Sequence, residues 1–144
     1  MKFLACAQPR PFFLVFDRGD EVLGTLGRFA REQRVQGGHF AAIGALSSAV
    51  VAYWNPESRE YEKIAVGEQV EVLALIGDVA IEGEETKVHA HIVLGKRDGS
   101  TIGGHLLKGT VYPTLEMHFV DAGIALERTK DPETKLSLIE IAEG

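Results

Sequence analysis

The stretch that decides the fold spans residues 87–107 and reads KVHAHIVLGKRDGSTIGGHLL. Two runs rich in apolar residues flank Asp98-Gly99, a dipeptide typical of the tight turn in a β-hairpin. Side chains alternate between the two faces of a strand, so His89 and His91 share one face. The opposite, core-facing side of the first run carries only apolar residues, which are Val88, Ala90, Ile92 and Leu94.

The length of the turn decides whether a third histidine joins this pair. With a two-residue turn, His91 would pair with Leu106, and His105 would face the core. With a three-residue loop over residues 97–99, Gly99 takes the left-handed conformation that a G1 bulge requires, and His91 lies directly across from His105. We predict the second register, which gathers three imidazoles on one face of the sheet.

Three imidazoles on one sheet face indicate a metal site. With His89, His91 and His105 as ligands and no obvious fourth protein ligand, the ion keeps an open position for water or a small ligand. Zinc is the preferred ion, although imidazole also suits copper, nickel and iron(II). Glu116, a carboxylate between apolar strand residues, is the candidate group for orienting a metal-ligating imidazole or acting as a base. The histidines not assigned to the metal, which are expected in the core or at a sheet edge, are His39 and His118.

Outward from this hairpin, the sequence predicts further strands and one principal helix. The helix begins after Asp20, its expected N-cap, and carries an apolar stripe opposite a charged side. The strands are predicted over residues 10–17, 39–54, 61–66, 70–81, 87–96, 101–111, 114–120 and 124–127. The pattern predicts an α+β fold with a mainly antiparallel sheet of about seven strands and the helix packed on it.

Two segments complete this organisation. Residues 41–46 are small and apolar throughout, which indicates a strand in the middle of the sheet that is buried on both faces. Near the end of the chain, residues 130–133 break the pattern. We therefore expect one domain over residues 8–129 and a C-terminal tail over residues 130–144.

The composition indicates which binding partners and which cellular compartment to expect. The 144 residues are 45% hydrophobic and 25% charged, as is usual for one globular domain. A net charge of −6 without any basic cluster argues against direct contact with nucleic acid or anionic lipid. The single cysteine, Cys6, cannot form an intramolecular disulfide, so we expect the reducing cytoplasm, and no apolar run is long enough to cross a membrane.

Six motifs, in the same order along the chain, resemble the plants-and-prokaryotes-conserved domain family (PPC, also written PCC). They are residues 19–22 (GDEV), 44–47 (GALS), 70–77 (VEVLALIG), 89–91 (HAH), 103–106 (GGHL) and 111–116 (VYPTLE). The resemblance covers roughly residues 10–120. It implies an α+β fold around a mainly antiparallel sheet, a homotrimer and, as in bacterial and archaeal members, a metal site at His89, His91 and His105.

The resemblance also bears on DNA binding, which is a common label of this family. Plant members carry AT-hooks, Arg-Gly-Arg-Pro segments that enter the minor groove, and this sequence has none. The plant interaction motif Gly-Arg-Phe-Glu-Ile-Leu corresponds to residues 68–73 (EQVEVL), where the Gly and the Arg are missing. Direct DNA contact is therefore not expected.

Two functions follow from these patterns. The first is a homotrimeric metal-binding protein, with zinc on three histidines and an open position for a small ligand or water. The second is a non-enzymatic assembly or regulatory module, associated with DNA only through its relatives. The sequence names no substrate and leaves open whether a reaction is catalysed.

Overall fold

The structure, a computed structural model, describes Lys2 and residues 4–141, which form one α-helix and eight β-strands. The helix, α1, spans Val22–Glu32. The strands are β1 Arg10–Phe16, β2 Gly38–Asn55, β3 Glu60–Val66, β4 Val70–Glu82, β5 Glu85–Gly95, β6 Thr101–Asp121, β7 Glu127–Lys130 and β8 Ser137–Glu140. The predicted α+β class with a mainly antiparallel sheet is confirmed. No helix in this part of the chain is long and apolar enough to cross a membrane.

Four long strands close the sheet into a circuit. Strand β2 pairs with β6, β6 with β5, β5 with β4, and β4 again with β2, and all four pairings are antiparallel. Strands β2 and β6 can each pair with three other strands because they are 18 and 21 residues long. Strand β1 adds to β6 and β3 to β2, while the β7–β8 hairpin joins β4 through one parallel bridge between Ile81 and Glu127. One face of the circuit surrounds the core, and we call the other the outer face.

Helix α1 packs its apolar stripe against the core, as predicted. Its N-cap, however, is Glu21 and not Asp20. Glu21 has an extended backbone, and its carboxylate accepts a 2.7 Å hydrogen bond from the backbone N–H of Gly24. The carboxylate of Asp20 instead accepts a hydrogen bond from the backbone N–H of Asp17, in the turn before the helix. The completely buried side chains of the helix are Val22, Leu26 and Ala30.

Strand β6 runs without a break through Tyr112-Pro113, whose peptide bond is cis. The prediction of two separate strands, over residues 101–111 and 114–120, was therefore wrong. The pairing of β6 with β2 shifts register at this point, so Pro113 lies in an irregular part of the ladder. Proline lacks the N–H that a regular ladder requires, and it is tolerated in a strand at such an irregularity.

The centre of β2 lies mid-sheet, between β4 and β6, as predicted. In the single chain, however, residues 41–46 are not buried on both faces. Ala42 is buried, whereas Ala41 is exposed and Ile43 is 63% exposed. The prediction failed because no described segment of the chain covers the outer face at these positions.

The C-terminal segment forms a hairpin. The strand predicted over residues 124–127 was wrong, because β7 begins only at the end of that range and continues to Lys130. Strands β7 and β8 pair antiparallel, so the predicted tail, residues 130–144, contributes to the sheet. Its last residues, 142–144, lie outside the described residues.

Candidate metal centre

The turn between β5 and β6 is the predicted three-residue loop. The backbone N–H of Lys96 donates a 2.8 Å hydrogen bond to the carbonyl of Ser100, and Gly99 donates one of 3.0 Å back to Lys96. Gly99 has a φ of +84°, in the left-handed region that the bulge requires. His91 consequently lies directly opposite His105, and the predicted register is confirmed.

The three predicted ligands converge on the outer face. Ala90 and Ile92 are buried on the core side of β5, so the alternation of the strand turns His89 and His91 outward. One ring nitrogen from each of His89, His91 and His105 lies within 4.8 Å of the other two. Ligand nitrogens around a tetrahedral zinc ion are about 3.3 Å apart, given Zn–N bonds of about 2.0–2.1 Å. The three imidazole nitrogens are near enough to one another that they could hold one ion.

A close approach of two strands sets the position of His105. The preceding residue, Gly104, has a φ of +156°, and a Cβ atom there would lie 2.6 Å from the carbonyl oxygen of Ala52 on β2. A glycine is required at such a contact, because any side chain would push β6 away from β2. The glycine thus holds the His105 backbone close to β2.

A hydrogen-bonded network of residues on β4 and β7 contacts His89. Its Nδ1 is 3.4 Å from Oδ2 of Asp78, the residue directly opposite on β4. Arg128 donates a 2.6 Å hydrogen bond to the other carboxylate oxygen of Asp78 and a 2.7 Å bond to the carbonyl of Ser137. The Arg128 guanidinium lies 3.3 Å from the same Nδ1. Because Nδ1 faces these two groups, Nε2 of His89 is the nitrogen left to bind an ion.

Sequence reasoning missed Asp78 and Arg128. For Asp78 a signal existed, since pairing residues 70–81 with 87–96 across the Gly83 turn places Asp78 opposite His89. For Arg128 the sequence carried none. It lies 50 positions from Asp78, and a parallel bridge of a single residue pair brings its strand alongside β4.

The electrostatics favour metal-competent imidazoles. Burial, assisted by the neighbouring positive groups of His89, His91 and Arg128, lowers the pKa of His105 to about 4. Burial and His89 also lower the pKa of His91. Near neutral pH both rings are therefore neutral, which is the form that binds metal.

The carboxylate of the network remains ionised. Burial alone would raise the pKa of Asp78, but hydrogen bonds from His89 and Arg128 outweigh it and hold that pKa below its ordinary value. A charged carboxylate accepts a proton-donating Nδ1–H more strongly than a neutral group does. The ring orientation of His89 is thus supported at neutral pH.

An unsatisfied atom provides a further test of whether a metal fits. His105 Nδ1 is buried, and within the described residues it has no hydrogen-bond partner. A buried polar nitrogen without a partner is costly. Ligation through Nδ1 would offset that cost, so the donor set and its surroundings fit a divalent transition metal.

The remaining candidate residues lie away from the cluster. Glu116 is exposed on the outer face, opposite Ile43 on β2, and it does not contact the three histidines within the described chain. Its role as a base stays a prediction. The ring of His118 packs 4.8 Å from that of Phe13, and His39 is exposed opposite Asp78. Neither joins the cluster, as predicted. The expectation that both lie in the core or at a sheet edge was wrong, because both are exposed on strands that are paired on both sides.

Solved structures of similar proteins share this fold over their full length. A metal-containing protein from Archaeoglobus fulgidus is 34% identical, with a TM-score of 0.90 over 98% of this chain and 100% of that one. A plant- and prokaryote-conserved (PPC) protein from Pyrococcus horikoshii is 28% identical, with a TM-score of 0.91 over 99% of each chain.

A curated relative and a family model extend the comparison. The bifunctional protein GlmU of Synechococcus sp. (strain JA-3-3Ab) is 33% identical in an alignment of 132 residues that covers 88% of this chain and 20% of that protein. The chain thus spans about a fifth of the curated relative's length. The model of the Plants and Prokaryotes Conserved (PCC) domain matches residues 4–122. The chain belongs to the Plants and Prokaryotes Conserved (PCC) domain family.

Proposed function

We propose that this chain is a metal-binding PCC-domain protein that holds zinc on His89, His91 and His105, with an open position for water or a small ligand. The observation that carries the proposal is the convergence of three imidazole nitrogens to within 4.8 Å of one another. When bound, a zinc ion with three protein ligands can polarise a fourth, exchangeable ligand.

The choice of zinc rests on the donor set. Three neutral imidazoles without a thiolate or carboxylate are typical of zinc sites that keep an open position. Copper, nickel and iron(II) accept the same donors, and the cellular supply of each ion also decides which one is bound. The description of the Archaeoglobus protein as metal-containing supports a metal and leaves its identity to measurement.

The outer face supports a second part of the proposal, assembly of the chain with copies of itself into a homotrimer. Large apolar side chains that are each more than half exposed form an outer patch, and they are Phe13, Val15, Ile43, Leu73 and Ile76. Contiguous exposed apolar surface of this kind is typical of a subunit interface. A second copy of the chain, as the family resemblance implies, would cover it.

The outer patch is continuous with the histidine cluster. One row of directly opposed residues crosses β1, β6, β2, β4, β5 and β6 again, and its members in order are Phe13, His118, Ala41, Ile76, His91 and His105. A copy seated on the outer patch would therefore border the metal site on its His91 side. The subunit interface and the metal site would then lie next to each other on one surface.

Metal content of the protein purified without a histidine tag or chelator tests the proposal. We expect inductively coupled plasma mass spectrometry to find close to one zinc per chain in the wild type and little in His91→Ala. The control is His118→Ala, which removes an exposed histidine from the same face outside the cluster and should keep the metal. Wild-type protein that stays metal-free after zinc is offered would rule the proposal out.

A further inference from the structure

A cavity of about 300 Å³ opens beside the histidine cluster, on the side of the C-terminal hairpin. His89 and His105 line it, and so does Tyr61 on β3, whose ring lies 4.8 Å from that of His105. The β7–β8 hairpin supplies the opposite wall. This volume is at the lower end of the range for small-molecule sites, so it suits a ligand of few atoms.

The charged residues of the cavity wall are mostly cationic. Lys87, Arg128 and Lys135 line the cavity, against the single carboxylate of Glu82. Arg128 forms an ion pair with Asp78, which does not itself line the cavity.

The two lysines are differently placed. Lys87 is shared between Glu85 and, at 3.9 Å, Glu82. Lys135 is exposed and makes no ion pair with any described residue, although Asp131 lies near enough to interact with it. Lys135 is therefore the cation most available to an incoming anion.

Apart from Tyr61 and Ser137, the remaining side chains that line the cavity are apolar. Val88 on β5 and two residues of the hairpin, Leu136 and Leu138, face the same space. Leu138 lines the cavity and is 46% exposed. A ligand that buries these side chains needs an apolar part as well as a charge.

Resting on the proposed metal centre, we infer that this cavity binds a small monocarboxylate. Three neutral imidazoles contribute no negative charge, so the ion at their focus keeps its full positive charge for a fourth ligand. A carboxylate lying between the ion and Lys135 would have a positive group on both sides, and its aliphatic part would contact Leu136 and Leu138. The C-terminal hairpin thereby becomes the element that selects the ligand.

Titration of the cobalt-loaded protein tests this inference, because the visible spectrum of Co²⁺ reports on a change of ligand. The probes are 3-methylbutanoate, its neutral isostere 3-methylbutanamide, and inorganic phosphate. We expect the carboxylate to bind about tenfold more tightly than the amide. Lys135→Gln should weaken the carboxylate about fivefold and leave the amide unchanged.

The matched control is Lys130→Gln, which removes the same charge from an exposed position of the same hairpin outside the cavity lining. It should bind all three probes as the wild type does. Equal binding of carboxylate and amide by cobalt-loaded wild type, or equal carboxylate binding by Lys135→Gln and wild type, would overturn the inference and leave the metal centre standing. Phosphate binding as tight as that of the carboxylate would overturn it in favour of an inorganic anion. Failure to take up cobalt would remove the proposed metal centre itself, and the inference with it.

Discussion

Asp78 lies directly opposite His89 on the neighbouring strand, and its carboxylate oxygen Oδ2 is 3.4 Å from the ring nitrogen Nδ1. Arg128 holds the other oxygen at 2.6 Å, so the carboxylate cannot turn away from the imidazole without breaking a charged hydrogen bond. A carboxylate in this position fixes both the orientation and the tautomer of a metal-binding histidine. Asp78 is therefore a positioning residue for the proposed site.

Replacement of this carboxylate should weaken metal binding. Asp78→Asn keeps the shape of the side chain but removes its charge and leaves Arg128 unpaired close to the ion. Both changes act in the same direction, and we expect zinc affinity to fall about 10- to 100-fold. Competition with a chromophoric chelator measures the dissociation constant.

A second variant separates this effect from damage to the hairpin that carries Arg128. Thr129→Val removes the 2.8 Å hydrogen bond from Thr129 to Glu140, on the exposed side of the same hairpin. It should leave zinc affinity unchanged. Equal affinities for Asp78→Asn and the wild type would show that His89 is oriented without its carboxylate.

The metal-free protein should lose stability as the pH falls from about 6.5 to about 4. The folded state holds the pKa of His105 near 4, against an ordinary value of 6.5, so in this window the unfolded chain binds more protons than the folded one. Asp78 adds little to the change there, since its pKa is below 4 in both states, at 3.8 in the unfolded chain and lower in the folded one.

Thermal unfolding in the presence of a chelator, at about pH 7 and about pH 5, measures this loss. We expect a clear drop of Tm in the wild type and a smaller drop in His105→Gln, which has no proton to gain at this position. The same drop in both proteins would assign the pH dependence to other groups.

The core of the site could be predicted because local rules determine it. Strand alternation places His89 and His91 on one face, and the left-handed preference of Gly99 selects the loop that sets His105 opposite His91. Both rules act within a single hairpin. For that reason neither depended on knowing the rest of the fold.

Other features could not be predicted, because they depend on distant segments of the chain or on a neighbouring chain. The exposure of Ile43 shows this, since an apolar strand has the same sequence whether its second face meets its own chain or another one. Arg128 reaches Asp78 only through the arrangement of β7 beside β4. The sequence predicted a strand end at Pro113. The irregular pairing with β2 that accommodates the proline cannot be seen in the sequence of β6 alone.

Gly104 should resist substitution. Alanine would have to adopt a φ of +156° and place its Cβ atom 2.6 Å from the carbonyl oxygen of Ala52. We expect Gly104→Ala to lower the free energy of unfolding by about 1–3 kcal/mol, as measured by chemical denaturation. The control is Gly67→Ala, where nothing lies within 4 Å of the added methyl group, and it should change stability little. Equal stability of both variants would mean that β6 can move away from β2 without cost.

Charge placed in the outer patch should separate the subunits. Ile43 is 63% exposed in the single chain, and its cross-strand neighbour is Glu116. In an assembly built on this patch, Ile43→Glu would bury a second carboxylate beside the first without a partner, at a cost that a subunit contact cannot offset. Light scattering should give the mass of three chains for the wild type and of one chain for the variant.

The matched control uses another exposed isoleucine. Ile64 lies on β3, away from the outer patch, and is 42% exposed, so Ile64→Glu adds the same charge without touching the proposed contact. It should retain the wild-type mass. If Ile43→Glu keeps the mass of three chains, subunits meet through a different surface, and the site at His91 then faces solvent in the assembly. If the wild type itself has the mass of one chain, the outer patch is left for a partner other than a second copy.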